Sequence, residues 1–153
     1  MSITLTFTDD HLDHVLSYIE KYGSAIAQVD TILDLDGRRL EEIMKTHPHH
    51  LSTYDQYVRE LKSIESWVEG YKKAVYAKAW KKYLEGYNRS LGTKDIQVYV
   101  EGDKAVREIS DIIIVIEELR GTMEGKLDAI KQLGWHLSSI SKLRAAEIKD
   151  EIM

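Results

Sequence analysis

Hydrophobic residues recur at spacings of three and four along most of this chain, the pattern of helices that bury one stripe. Leu12, Val15, Leu16, Ile19, Ile26, Val29 and Leu33 follow that spacing, with Asp9 or Asp10 placed to cap the helix and Gly23 a possible interruption. Ahead of them, Ser2 to Thr8 alternates polar residues with Ile3, Leu5 and Phe7, the period of a short strand-like arm. Asp36-Gly37 is a turn signal and Arg38 to Lys45 a short helix. His47-Pro48 disfavours its continuation, because a proline restricts the residue before it to extended conformations.

Ser52 followed by Asp55 resembles a capping box with Asp in place of Glu, and no breaker follows until Gly70 and Gly86. Tyr54, Tyr57, Leu61, Ile64, Val68, Tyr71 and Val75 form a heptad seam, so this helix needs a partner helix. At the helical rise, Ser52 to Gly86 would run about 50 Å, longer than one compact domain of this size needs for its own core. Gly86 to Gly102 reads as a loop around Ile96-Gln97-Val98-Tyr99-Val100, a short strand or half of a hairpin. Asp103 starts a second long helix with the seam Ile109, Ile113, Ile116, Arg120, Met123, Leu127, Ile130 and Leu137. A charge at Arg120 is costly unless paired, and such a residue can fix helix register or oligomer state. Gly134 predicts a bend, after which Leu137, Ile140 and Leu143 carry the apolar side.

The expected fold is therefore mainly α: long amphipathic helices with a short strand or hairpin insertion, the helices packing into a homo-oligomer. The organisation expected is an N-terminal extension over 1–50, a long basic helix with a loop or strand over 51–102, and C-terminal oligomerisation helices over 103–153, forming one compact unit overall. Composition agrees. A chain of 153 residues with 43% hydrophobic residues, a single proline and nine glycines suits one helical domain. The absence of cysteine excludes disulfides and thiolate metal sites and suits a reducing cytoplasm. The N-terminus has no signal-peptide pattern, and the most apolar run, Ile112 to Ile116, is far too short to span a bilayer, so no membrane insertion is expected.

Charge changes the picture. The net charge of −5 is uneven: residues 1–71 carry 6 basic and 13 acidic side chains, residues 72–94 carry 7 and 1, and residues 95–153 carry 8 and 12. The positive charge is thus focused in one segment, where Lys72, Lys73, Lys78, Lys81, Lys82, Arg89 and Lys94 face a single carboxylate, Glu85. A focused cluster can capture phosphates while an acidic remainder limits indiscriminate binding, so these seven residues are the candidate nucleic-acid contacts. Tyr71, Tyr76, Trp80, Tyr83 and Tyr87 are interleaved with them. On a helix, Tyr76, Trp80, Tyr83 and Tyr87 form one narrow stripe, with Lys78, Lys81 and Lys82 almost opposite. The aromatic stripe reads as packing and the lysines as a phosphate-facing surface, with Tyr87 placed to stack on a base near the loop. A merely solvated lysine face is the bland alternative, weakened by the scarcity of i,i+4 acidic partners.

Other constellations are weaker. His47, His49 and His50 lack a firm additional ligand and read as a solvated turn. Asp34-Leu35-Asp36-Gly37 resembles part of a calcium loop, but Ile32 and Ile43 occupy ligand positions. Glu117-Glu118 lacks the nearby acids an all-helical nucleotide hydrolase needs, and no phosphate-binding P-loop is present. No metal, no cofactor and no enzymatic activity are expected.

The run Leu127-Asp128-Ala129-Ile130-Lys131-Gln132-Leu133-Gly134-Trp135-His136, followed by Ile140 and Arg144-Ala145, resembles the end of the UvsY-type recombination mediators of tailed phages. Asp103-Lys104 precedes it at matching spacing, and Lys72-Lys73 through Lys78-Ala79 to Tyr83 and Gly86 is similar to that family's lysine-rich helix. The resemblance covers roughly Tyr54 to Ile148; the first fifty residues match nothing. It departs at Lys78-Ala79-Trp80, where the family has Lys-Ala-Arg, so the arginine's role does not carry over, although Lys81 and Lys82 can compensate for the charge. The resemblance implies a ring-like homo-oligomer that binds single-stranded DNA and helps a phage recombinase displace single-strand-binding protein during recombination, repair and replication. It implies no covalent chemistry and places the protein in the host cytoplasm. The alternative is a helical oligomeric scaffold or adaptor without DNA binding.

Overall fold

The computed structural model describes residues 11–86 and 92–152, with side chains described over 14–86 and 92–150. Four helices follow in order: α1 (His11–Leu33), α2 (Leu40–Glu85), α3 (Thr93–Gly102) and α4 (Lys104–Ile152). The mainly α expectation holds, but the strand or hairpin insertion does not: among the described residues there is no strand, and Ile96–Val100 lies inside α3. The competing periods decide it. A strand would place Ile96, Val98 and Val100 on one face, whereas Ile96 and Val100 are buried and Val98 is 69% exposed. Gln97 donates to Glu101 one turn on at 3.1 Å, which further supports the helix. The N-terminal arm Ser2–Thr8 and the caps Asp9 and Asp10 lie outside the described residues.

The residues cluster into two compact units, one comprising Met1–Lys21 (described from His11) with Leu61–Leu119, the other Tyr22–Glu60 with Arg120–Met153. In the first, Ala79, Ile96, Val100 and Val106 form a buried cluster that gathers Val75, Tyr76, Trp80 and Tyr83 around it. In the second, Ile43, Leu133 and Leu137 are buried together against Leu33, Leu35 and Leu40. The expected seams are largely the buried stripes: Tyr54, Leu61 and Val68 on α2, and Ile109, Ile113, Ile116, Met123, Leu127, Ile130 and Leu137 on α4. The buried tyrosines keep their polar tips satisfied, Tyr22 donating to the Glu60 carboxylate and Tyr54 to the Ala25 carbonyl oxygen. Tyr57 meets both rings edge-on, at 5.6 Å from Tyr22 and 5.4 Å from Tyr54. Arg120, expected to need a partner, pairs with Glu124 at 3.2 Å.

Several expected breaks are absent. Gly23 and Gly70 lie within continuous helices, and Ser52, read as a cap, is in the interior of α2, where Asp55 pairs instead with Arg59 at 2.9 Å. Pro48 also sits inside α2. Interior proline removes one helical hydrogen bond and costs about 3 kcal/mol. Here the helix is pinned on both sides of it, by buried Ile43 and by Tyr54. The Asp36-Gly37 turn is kept, with Gly37 at φ +70°, and α2 ends at Glu85, at the break expected at Gly86.

His47 does not occupy a solvated turn, as the sequence suggested, but α2, where its Nε2–H donates to the Ile130 carbonyl oxygen at 2.7 Å. That oxygen lies one turn before Gly134, and a Cβ at Gly134 would stand 2.6 Å from the imidazole Cε1. The glycine that reads as a bend is thus the gap through which an imidazole reaches a helix carbonyl; α4 continues through it without a break. His50, also on α2, has its pKa lowered by burial and then by the neighbouring His49, Arg38 and His47.

Gly134→Ala should therefore destabilise the protein by about 1–3 kcal/mol in urea unfolding, because the ring must yield. In a His47→Ala background the same change should stabilise by up to about 1 kcal/mol through helix propensity. Equal effects in both backgrounds would contradict the contact.

Candidate nucleic-acid interface

The C-terminal part of α2 carries most of the candidate cations. Its packing face is fixed by Ala79, 5% exposed, with Val75, Tyr76, Trp80 and Tyr83 flanking it against α3 and Val106 of α4. Tyr76 and Trp80 lie 6.2 Å apart with rings tilted by 30°, and Tyr83 stacks on Tyr99 of α3 at 5.6 Å. Burial of the aromatic stripe dictates where the lysines go. Lys78 and Lys81 project from the opposite side of the helix and are exposed, as is Lys73. Lys72 falls near the packing side and is half-buried, while Lys94 stands exposed in the first turn of α3. Among the described residues, Lys73, Lys78 and Lys81 make no ion pair. Arg89 and the stacking candidate Tyr87 lie outside the described residues.

Lys82 differs from the expectation that it points away with Lys78 and Lys81. It lies only about 100° around the helix from Tyr83, its ammonium stands 5.1 Å from that ring's centroid, and it donates to Asp103 Oδ2 at 3.4 Å. Asp103 is the centre that sequence reasoning saw only as a helix start. Its Oδ1 accepts from the Ala105 N–H at 3.0 Å, capping α4, while Oδ2 accepts the Tyr83 hydroxyl at 3.0 Å. Burial pushes its pKa up, but the hydrogen bonds from Tyr83, Ala105 and Lys82 outweigh this, and the group titrates below the usual carboxylate range. The Lys82 partnership was not legible, because the two residues are 21 positions apart. The stack of Tyr83 on Tyr99 was hidden by the strand reading of Tyr99.

Among the described residues, one group of three potential metal ligands converges: Glu65, Glu69 and Glu117, their oxygens within 4.8 Å of one another. These are half-buried or exposed carboxylates, and the candidate histidines do not join them. No helix among the described residues is long and apolar enough to cross a membrane.

No protein-family model and no curated protein matches the sequence significantly. Solved structures do. A crystal structure of the bacteriophage T4 recombination mediator protein UvsY superposes with a TM-score of 0.71 at 19% identity, covering 82% of this chain and 98% of that one. The fold is of the UvsY type. A second crystal form of the same T4 protein gives a TM-score of 0.69 at 20% identity, with 82% and 96% of the chains covered. The UvsY-type fold expected from the glycine-aromatic and lysine-rich stretches is thus present, at an identity that speaks to the fold alone.

Asp103→Ala should cost about 1–3 kcal/mol, since it removes a cap and leaves the Tyr83 hydroxyl without its acceptor; Asp103→Asn, which keeps the cap, should cost less. Because the native pKa is lowered, the carboxylate's contribution is complete above the unfolded-state pKa and is lost as pH falls through the native one. Urea midpoints measured from about pH 5 downward should therefore fall less steeply for the Asn variant than for the parent. Parallel profiles would contradict the assignment.

Proposed function

We propose that this protein is a recombination mediator that binds single-stranded DNA along the outward lysine edge of α2. The observation that carries this reading is the division of one helix into a half-buried aromatic face packed around Ala79 and an exposed cationic face. Lys78 and Lys81 form the centre of that edge, with Lys73 and Lys82 beside them; Lys72, Lys94 and Arg89, the last outside the described residues, are the remaining candidate contacts. Phosphates are its natural ligands, because a cationic groove or ridge releases condensed counterions when a strand binds. The UvsY-type fold supports the reading, since the superposed protein is a phage recombination mediator.

In this reading the chemistry is binding without bond-making. A homo-oligomer, ring-like in arrangement, would present several such edges to one strand and raise its affinity through effective concentration. In that role the protein helps load a recombinase onto strands covered by single-strand-binding protein, in the cytoplasm of a phage-infected host. Lys82 enters with its charge partly satisfied by Asp103, so Lys78 and Lys81 contribute more to affinity than Lys82.

Fluorescence anisotropy with a labelled single strand tests this. Lys78→Ala combined with Lys81→Ala should weaken binding by at least about tenfold at moderate salt, with unchanged helicity because both side chains are exposed. Undiminished affinity in that variant would refute the assignment. Absence of any DNA affinity, with a protein partner captured in nuclease-treated extracts, would favour a scaffold instead.

A further inference from the structure

A second stretch of the chain departs from the acidic background. From Ala129 to Ala146 there are Lys131, Lys142 and Arg144 and no Asp or Glu, although residues 95–153 as a whole carry 8 basic and 12 acidic side chains. All of it lies on α4, and its central residue is unusual: Trp135 is 80% exposed. Indoles are large and apolar, and one left almost wholly in water on a rigid helix is a candidate contact for a partner.

Helical geometry says what surrounds it. Lys131 precedes Trp135 by four residues, Ser138 and Ser139 follow it by three and four, and Lys142 follows it by seven, so all share its side of the helix. Each is exposed. Leu133 and Leu137 are buried on the opposite side, which fixes the indole outward. Lys131 and Lys142 are separated by about 16 Å along the helix axis, with the indole between them. Among the described residues neither lysine makes an ion pair. Asp128, at the N-terminal end of the stripe, and Glu147, beyond Lys142, bound the carboxylate-free segment.

We propose that this face of α4 is a second contact for single-stranded nucleic acid, with a base stacked on Trp135 and flanking phosphates held by Lys131 and Lys142. Charge favours a polyanion as occupant, since the segment is cationic in an acidic surrounding. The indole favours an unpaired base, because only a single strand exposes π-faces to stack. The serine hydroxyls supply further phosphate donors. This contact differs in kind from the α2 edge: that edge reads charge, whereas this one also reads the presence of bases. The proposal rests on the reading of the protein as a single-strand binder.

The test compares a labelled oligothymidylate with an abasic oligonucleotide of equal length, using the full chain. Trp135→Ala should weaken oligothymidylate binding roughly tenfold, the effect of losing one stacked base, and Trp135→Phe should recover most of it. Neither change should alter affinity for the abasic strand, while Lys131→Ala with Lys142→Ala should weaken both strands. If Trp135→Ala binds oligothymidylate as the parent does, while Lys78→Ala with Lys81→Ala weakens it, this contact is refuted and the α2 reading stands. Equal loss on both strands, or a fall in native mass in Trp135→Ala, would assign the indole to packing between copies and overturn the proposal. No affinity of the parent for either strand would overturn both readings.

Discussion

The arrangement of the α2 edge depends on one carboxylate. Asp103 ends α3, caps α4 and receives both the Tyr83 hydroxyl and the Lys82 ammonium from α2, so a single buried anion ties three helices at one point. A buried charge without partners would be expensive, and this one persists because its oxygens accept from a backbone amide, a hydroxyl and an ammonium. With Tyr83 held there and Ala79 buried against α3, the rotation of α2 about its own axis is fixed. Lys78 and Lys81 face outward as a consequence, and Lys82 is drawn to the flank.

The aromatic residues interleaved with the lysines therefore serve to orient them. Tyr76, Trp80 and Tyr83 spend their area on the α3 contact, so the lysine edge offers charge and little stacking surface. The indole that does stand in water, Trp135, lies on another helix, in a segment free of carboxylates. In the proposed reading, electrostatic capture falls to the α2 edge and base contact to the Trp135 face, each carried on a long helix whose opposite side is buried.

Much of the fold was legible because heptad spacing survives in the sequence: the α4 seam from Ile109 to Leu137 and the α2 seam from Tyr54 to Val68 are the buried stripes. What was misread has a physical cause in each case. Ile96-Gln97-Val98-Tyr99-Val100 satisfies both a period of two and an i,i+4 pair, and only packing against Ala79 and Val106 selects the helix. Pro48 reads as a terminator because local sterics say so, whereas tertiary anchors on both sides outweigh a cost of about 3 kcal/mol. Gly134 reads as a bend because a missing Cβ has no sequence signature for what fills the space, here the ring of His47. At the candidate site the composition marked the segment and helical geometry marked Lys78 and Lys81, but the pairing of Lys82 with Asp103 spans α3 and could not be read locally.

The central claim is that exposed lysines on α2 hold a strand by its phosphates. The salt dependence of single-strand affinity measures this directly, because each neutralised phosphate contributes about −0.7 to the slope of log K against log salt concentration. Lys78 and Lys81 alone predict a slope near −1.4 per bound protomer, steeper as flanking cations join. An affinity that does not change with salt would contradict the account, since it would leave the cationic edge with no phosphates to neutralise.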